Sequence, residues 1–454
     1  MTMAADTETR ERFFPHTQDE LKEIASDILR HAKSLGATDA ATEISEGDGL
    51  SVSVRRGEVE TIEHNRDKMV GVTVFIGNKR GNASTSDFSP EALKDTVTAA
   101  YNIARFTAED DCAGLAEDEL LEKAPQDLDL YHPWNLSADE AVEIARRAED
   151  AAFATDAQIR NSEGASVSAQ HSQFVTANSL GFVGGYPGSR HWLSCSVIAE
   201  EKGLMQRDDW YSASRAPEKL ADPVALGRYA GQRTLARLGA RKIPTGKAPV
   251  LFEAPVALQL IGHFISAVNG GNLYRKTSFL ADSLGQKLFS PLVDIEERPH
   301  VRGAMASAPF DEEGVATRDR TIVRAGVVEG YFLGTYSARK LGMKSTGNAG
   351  GHHNLFVRSE GPDFAGMLRH MRKGLLVTEL MGQGVNVVTG DYSRGAAGYW
   401  VEGGEIRFPV EEITIAGNLR QMFGAIAAIG SDVVTRNGRS CGSILIDSMT
   451  IAGD

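Results

Sequence analysis

Residues 51–62, SVSVRRGEVETI, and residues 70–86, VGVTVFIGNKRGNASTS, decide the fold class, because each alternates apolar and polar positions on both sides of a turn-forming pair. The first pattern predicts a β-hairpin turning at Arg56-Gly57 and the second one turning near Asn78. Helical signals flank them. Upstream, Thr17 and Glu20 form a T-x-x-E capping box ahead of Leu21, Ile24, Ile28 and Leu29 on one helical face, which predicts a helix from Thr17 to Leu35, stopped near Gly36. Downstream, Ser89-Pro90 opens another helix through about Phe106.

An acidic, irregular stretch over 108–134 follows, and a second capping box, Ser137 to Glu140, starts an Ala-rich helix to about Thr155. Strand-like runs come next: GASVSAQ (164–170), QFVTANSLGFVGG (173–185) and HWLSCSVIAE (191–200). A helix is expected from Asp222-Pro223 to Leu238. This order is α+β and lacks the strict strand-helix alternation of a dinucleotide fold. The segment Arg241 to Gly246, with Pro244, is the best linker, so we expect an N-terminal α/β layered domain with hairpins and helices over 1–243.

Thirty of the 47 glycines lie from Gly246 onward. That density predicts turns and close backbone approaches, and a C-terminal Gly-rich, predominantly antiparallel β domain over 244–454. The runs TIVRAGVVEGYFLG (321–334), GLLVTELMG (374–382) and GYWVEGGEIRFPVEEITIAG (398–417) read as hairpins, with helices expected only near 255–268, 335–341 and 418–429.

Composition narrows the function classes. A chain of 454 residues exceeds what one hydrophobic core usually fills, and 42% hydrophobic with 24% charged residues is a globular balance. A net charge of -13 with scattered Lys and Arg argues against nucleic acid as a main partner. The Arg55-Arg56 pair belongs to a hairpin tip. Three cysteines without C-x-x-C spacing make no disulfide framework and fit a reducing compartment. The N-terminus, MTMAADTETRERFF, has no apolar leader core, and no run approaches the roughly 18 apolar residues of a membrane span, so a cytoplasmic address with no membrane is expected.

For hydrolytic chemistry, a metal would need several His or carboxylate ligands and a base beside its water. His263, in PVALQLIGHFISAVNGG, is the natural place to look, but a His-Glu helical motif would need Glu at 264 and His at 267 or 268, where this chain has Phe264, Ala267 and Val268. His352 and His353 in GNAGGHHNLFV follow a glycine-rich turn that could line a pocket; adjacent histidines on an extended segment point to opposite faces and do not share one metal. Cys441, in NGRSCGSILI, would need a nearby base to act as a nucleophile. GNAGG and GQGVNVVTGD follow neither the Walker nor the dinucleotide pattern.

The run GHFISAVNGGNLYRKTSFLADSLGQKLFS (262–290) resembles the TldD/PmbA family (peptidase family U62), specifically its PmbA branch, also called TldE. So do RPHVRGAMASAPFDEEGVATRDRTIV (298–323), GTYSARKLGMKSTGNAGGHHNLFV (334–357), GQGVNVVTGDYSRGAAGYWVEGGEIRFPVEEITIAGN (382–418) and the terminal CGSILIDSMTIAG (441–453). The resemblance implies a cytoplasmic metalloprotease complex in which TldD and PmbA chains pair around a chamber and cleave unfolded peptides, with family links to microcin maturation, antitoxin degradation and modulation of DNA gyrase. In the TldD branch a His-Glu-x-x-x-His motif and a C-terminal cysteine hold the metal. Here the motif fails around His263 while Cys441 remains, so this chain is expected to hold no metal, with zinc on a TldD-type partner.

The leading expectation is therefore a non-catalytic peptidase subunit that supplies wall and peptide-binding surface, a homodimer in isolation or part of a mixed complex in the cell. Asn269, Gly270, Gly271, Asn272, Arg275, Lys276, His352, His353 and Asn354 are its candidate substrate contacts. Two alternatives stand beside it: a protein-binding regulator of a topoisomerase or toxin system without proteolysis, and a thiol hydrolase using Cys441 with His263 or His353 as base.

Overall fold

The computed structural model describes residues 13–453, so all but the last two residues of the N-terminal stretch quoted above lie outside the described residues. Both capping boxes form. Thr17 Oγ1 accepts from Glu20 N at 3.2 Å while Glu20 Oε2 accepts from Thr17 N at 2.7 Å, and helix α1 runs Gln18–Ser34. Ser137 and Glu140 repeat this at the start of α3, Ala138–Phe153. Each such cap stabilises its helix by about 1 kcal/mol.

The predicted hairpins share a strand. β1 (Asp39–Arg55) turns into β2 (Glu58–Ile76) through Arg56 and Gly57, whose φ angles of 55° and 77° are the two left-handed positions a tight two-residue turn requires. β2 then turns at Gly77-Asn78 into β3 (Lys79–Thr85), and Ser89 caps α2, Pro90–Phe106. After α3 come β4 (Ile159–Asn178), β5 (Val183–Glu201), β6 (Leu204–Ser214) and α4 (Pro223–Ala236). The six strands form one antiparallel sheet, β3-β2-β1-β4-β5-β6. β6 is absent from the sequence expectation because LMQRDDWYSAS carries charge in place of an apolar alternation.

One face of this sheet takes all four helices. α1 and α2 cover Ile44, Val70, Val72, Val74 and Val175; α3 and α4 cover Val52, Val54, Val167, Leu193 and Val197. The second pair crosses closely: a Cβ on Gly227 of α4 would lie 1.8 Å from the carbonyl oxygen of Ala148, so only glycine fits there.

The second half opens with β7 (Gly246–Phe252), α5 (Ala254–Ala267) and α6 (Gly270–Tyr274). Next are β8 (Ile295–Glu297), β9 (Arg320–Arg324), β10 (Val327–Val328), α7 (Thr335–Lys340), β11 (Leu355–Val357) and α8 (Phe364–Met371). β12 (Lys373–Met381), β13 (Asp391–Glu402), β14 (Glu405–Asn418), α9 (Leu419–Gly424), β15 (Ile426–Ile429), β16 (Val434–Arg436), β17 (Arg439–Cys441) and β18 (Ile444–Ala452) complete it. One sheet runs β10-β9-β8-β11-β17-β16. The other runs β14-β13-β12-β7-β18-β15, and β14 also pairs with β18, so five strands close into a ring. The pairing is antiparallel apart from β7 with β12 and β11 with β17.

Two expectations change here. The helix predicted over 418–429 stops at Gly424, because Ile426 and Ile429 join the ladder of β18. The short helices α6 and α8 were not anticipated; Asn269 and Asp363 cap them through side-chain oxygens. No described helix is long and apolar enough to cross a membrane.

A largely desolvated ionic cluster joins the two halves. Arg233 of α4 donates to Glu253 at 2.8 and 3.2 Å, at the mouth of α5, and lies 3.3 Å from Asp208 of β6. Arg237 pairs at 2.5 Å with Glu379 of β12. Replacing Arg233 with Met strands Glu253 and leaves Asp208 with Arg237 at 3.9 Å, both carboxylates under one-fifth exposed, and chemical denaturation is expected to show a loss of about 3–5 kcal/mol.

Candidate functional site

The sheet face that the helices leave bare forms the floor of a cleft. Strand alternation puts Glu43 of β1, Phe174 and Thr176 of β4, and Tyr186 and Arg190 of β5 on that side. The roof comes from the second half, residues 305–308, 310–312 and 349–353. The space is about 420 Å³ and runs into a neighbouring one of about 460 Å³ over β2 and β3, the two sharing Glu43, Thr176 and Glu312.

Its ends carry opposite charge. Burial first, and then the Glu312 carboxylate, raise the pKa of Glu43, and neither carboxylate has an ion-pair partner among the described residues. At the far end Arg215 is buried, and among the described residues its guanidinium donates only to the carbonyls of Leu130, Ser189, Ala304 and Met305. Burial and the adjacent Arg190 pull its pKa down to about 10. Arg190 is exposed, with one donor 3.4 Å from the carbonyl of Met305. Phe174, Tyr186 and Phe310 lie between the ends, the Tyr186 ring 4.7 Å from Phe174 and 5.6 Å from Phe310.

The roof is pinned by buried polar groups. The Asp311 carboxylate accepts from the backbone N–H groups of Glu313, Val315 and Ala349, each at 2.9 Å. Burial and Glu313 push its pKa up to about 7 against those donors. His353 N donates to Glu297 Oε1 at 2.8 Å and its ring Nε2 donates to the Gly347 carbonyl at 2.8 Å. Asn354 Nδ2 donates to Ser307 Oγ at 2.7 Å while its Oδ1 accepts from Ala306 N. His353 and Asn354 therefore hold the roof in shape, and Gly350, Gly351, His352 and His353 line the cleft.

The other sequence candidates lie elsewhere. Asn269 caps α6 through Gly271 N, Gly270 N donates to the Phe332 carbonyl, and Asn272 Nδ2 donates to the Ser266 carbonyl. Arg275 reaches Tyr274 Oη, and Lys276 takes a left-handed φ of 56° to end the helix. None of residues 269–276 lines the cleft; their link to it is Phe332, whose ring stands 6.2 Å from that of His352.

His263 projects from α5 toward Tyr392. Burial, then the guanidinium groups of Arg394 and Arg439, lower its pKa to about 4, and its Nε2 has no hydrogen-bond partner among the described residues. Phe264, Ala267 and Val268 are fully buried in the second-half core, Phe264 against Phe289 and Phe423. Cys441 is fully buried on β17, and burial raises its thiol pKa far above the ordinary range. That gives the thiol-hydrolase alternative no support, since a nucleophile needs an accessible thiolate. Among the described residues, no three His, Cys, Asp or Glu side chains converge as a metal would need.

Sequence reading missed Glu43, Arg190, Arg215 and Glu312, which four distant segments bring together. The one local signal was the DEE run of residues 311–313 inside a quoted block.

Family profiles match along the chain: PmbA/TldA metallopeptidase domain 1 over residues 42–104, its central domain over 131–238 and its C-terminal domain over 245–453. The metalloprotease PmbA of Escherichia coli O157:H7 is 50% identical over 434 residues, 95% of this chain and 96% of that one. The PmbA homolog of Haemophilus influenzae is 45% identical over 441 residues, 96% and 97% of the two chains. A crystal structure from Bacteroides thetaiotaomicron, of a protein named as a candidate modulator of DNA gyrase, superposes with a TM-score of 0.90 at 26% identity, over 96% of this chain and 99% of that one.

The His263 imidazole is expected to stay neutral on acidification to about pH 5 in an NMR titration, and Arg439→Met to raise its pKa toward the ordinary value. Because the folded pKa lies below the unfolded one, its contribution to stability is present above about pH 6.5 and is lost as pH falls toward 4. With a thiol reagent, native protein should react at the half-buried Cys112 alone, Cys195 and Cys441 becoming reactive only on unfolding.

Proposed function

The chain belongs to the PmbA/TldD metallopeptidase family, on its PmbA (TldE) branch, and from that premise we propose that it is the non-catalytic subunit of a cytoplasmic peptidase complex. In this reading it pairs with a TldD-like chain that holds the zinc, and supplies the cleft and wall that receive unfolded peptide. On its own it self-associates as a homodimer.

The observation that carries the reading is the setting of His263. A zinc site needs three protein ligands and gains from negative charge around the cation. Here the neighbouring positions are core hydrophobes, and the charged groups bearing on the imidazole are two guanidinium cations. The donor set does not fit zinc: one histidine faces arginines, and the cysteine is held as a buried thiol. The cleft, by contrast, is lined by the Glu43 and Glu312 carboxylates, the Arg190 guanidinium and aromatic rings, groups that suit the termini and apolar side chains of a peptide.

Metal analysis and a peptide-cleavage assay test the proposal. The purified chain should carry far less than one zinc per chain and leave unfolded peptide intact; mixed with a His-Glu-bearing sister chain it should support cleavage. Stoichiometric zinc on this chain alone, with turnover, would overturn the proposal. Recovery of a folded client without any cleavage by the mixture would favour the regulatory alternative instead.

A further inference from the structure

The cleft under residues 305–312 has a length and a polarity. Glu43 stands opposite Thr176, Thr176 opposite Gly184, and Arg190 lies further along the same strand as Gly184. At about 3.3 Å per residue along β5, and about 4.8 Å for each of two strand steps, the backbones at the two charged ends are about 22 Å apart. An extended peptide covers about 3.4 Å per residue, and charged side chains reach inward from both ends, so about five residues bridge the gap.

Each end is incomplete in charge. Glu43 and Glu312 bring two carboxylates together with no cation on either among the described residues. Arg215 is a buried guanidinium with only carbonyl partners, and exposed Arg190 adds a second cation beside it. Like charges held together are costly, and a ligand of opposite sign at each end relieves both costs. The rings of Phe174 and Tyr186 on the floor and Phe310 on the roof between them suit apolar side chains.

We infer that this cleft binds a short zwitterionic oligopeptide of about five residues, its terminal carboxylate at Arg190 and its terminal ammonium between Glu43 and Glu312. Arg190 makes the contact, and Arg215 supplies positive potential from behind. A free amino acid is too short to satisfy both ends, and a folded protein offers no such pair of termini. The inference rests on the reading above that the chain handles peptides, and it gives that handling a preference for fragments of product size.

The test is a double-mutant cycle by isothermal titration calorimetry on the full chain, without a partner. A pentapeptide with an apolar middle is compared as the free form, the C-terminal amide and the N-acetyl form. Amidation and acetylation are each expected to weaken binding about tenfold. In Arg190→Gln the free acid and the amide should bind alike, while acetylation still weakens binding. In Glu312→Gln the pattern reverses. Both side chains are exposed, so the fold should survive either change, as thermal melting would verify. Equal affinity of all three forms for the wild-type chain, or an amide effect that persists in Arg190→Gln, overturns the inference. Since no metal and no cleavage enter, that failure is distinct from failure of the peptidase proposal, which is judged only by turnover in the mixed complex.

Discussion

The arrangement of the molecule depends on one cation largely withdrawn from water. Arg233 sits between Asp208 at the end of the first sheet and Glu253 at the start of α5, with all three side chains largely out of water. A guanidinium so placed must keep its carboxylates close, because charge removed from water without a partner costs several kcal/mol. Its planar fork meets Glu253 through two parallel hydrogen bonds, which fixes direction as well as distance. Arg237 and Glu379 extend the clamp to β12. Together they set how the ring of strands stands against the first sheet, and so how far the roof lies above the cleft floor.

That roof needs its own polar framework. The segment 305–315 has little regular structure, so its backbone groups cannot be satisfied by a ladder or a helix. Asp311, His353 and Asn354 take that role by accepting from, or donating to, main-chain atoms. The floor needs no such help. Period-two alternation along β1, β4 and β5 sends valines to the helix side and Glu43, Thr176 and Arg190 to the other. The face that carries charge is the one that no helix covers.

Local chemistry was legible in the sequence, and long-range geometry was not. The capping boxes at Thr17 and Ser137, the Arg56-Gly57 turn and the hairpins ending in β14 depend on residues within a few positions of one another. β6 and the end of α9 escaped because neighbours far along the chain decide them: β5 pairs a charged strand, and β18 draws Ile426–Ile429 out of a helical pattern. Of the candidates from the glycine-rich turn, His352 and His353 line the cleft and Asn354 pins its roof, while the 269–276 segment lies outside it as caps and turns of α6. Glu43 and Arg190 carry no motif. Only the register of β1 on β4 on β5 places them on one surface.

The ring in the second half bears on how the chain reaches this state. β18 inserts beside β7, so the first strand of that half, already flanked by β12, finds its second neighbour only after nearly all of the intervening chain has been made. Contacts so remote in sequence must close a long loop before they return any energy, which slows the search. Until then the edges of β7 and β14 that face β18 stand bare, open to wrong pairing with other nascent chains. Maturation of this half is therefore a late, all-at-once event, and chaperone dependence would concentrate there and spare the earlier, locally paired meander.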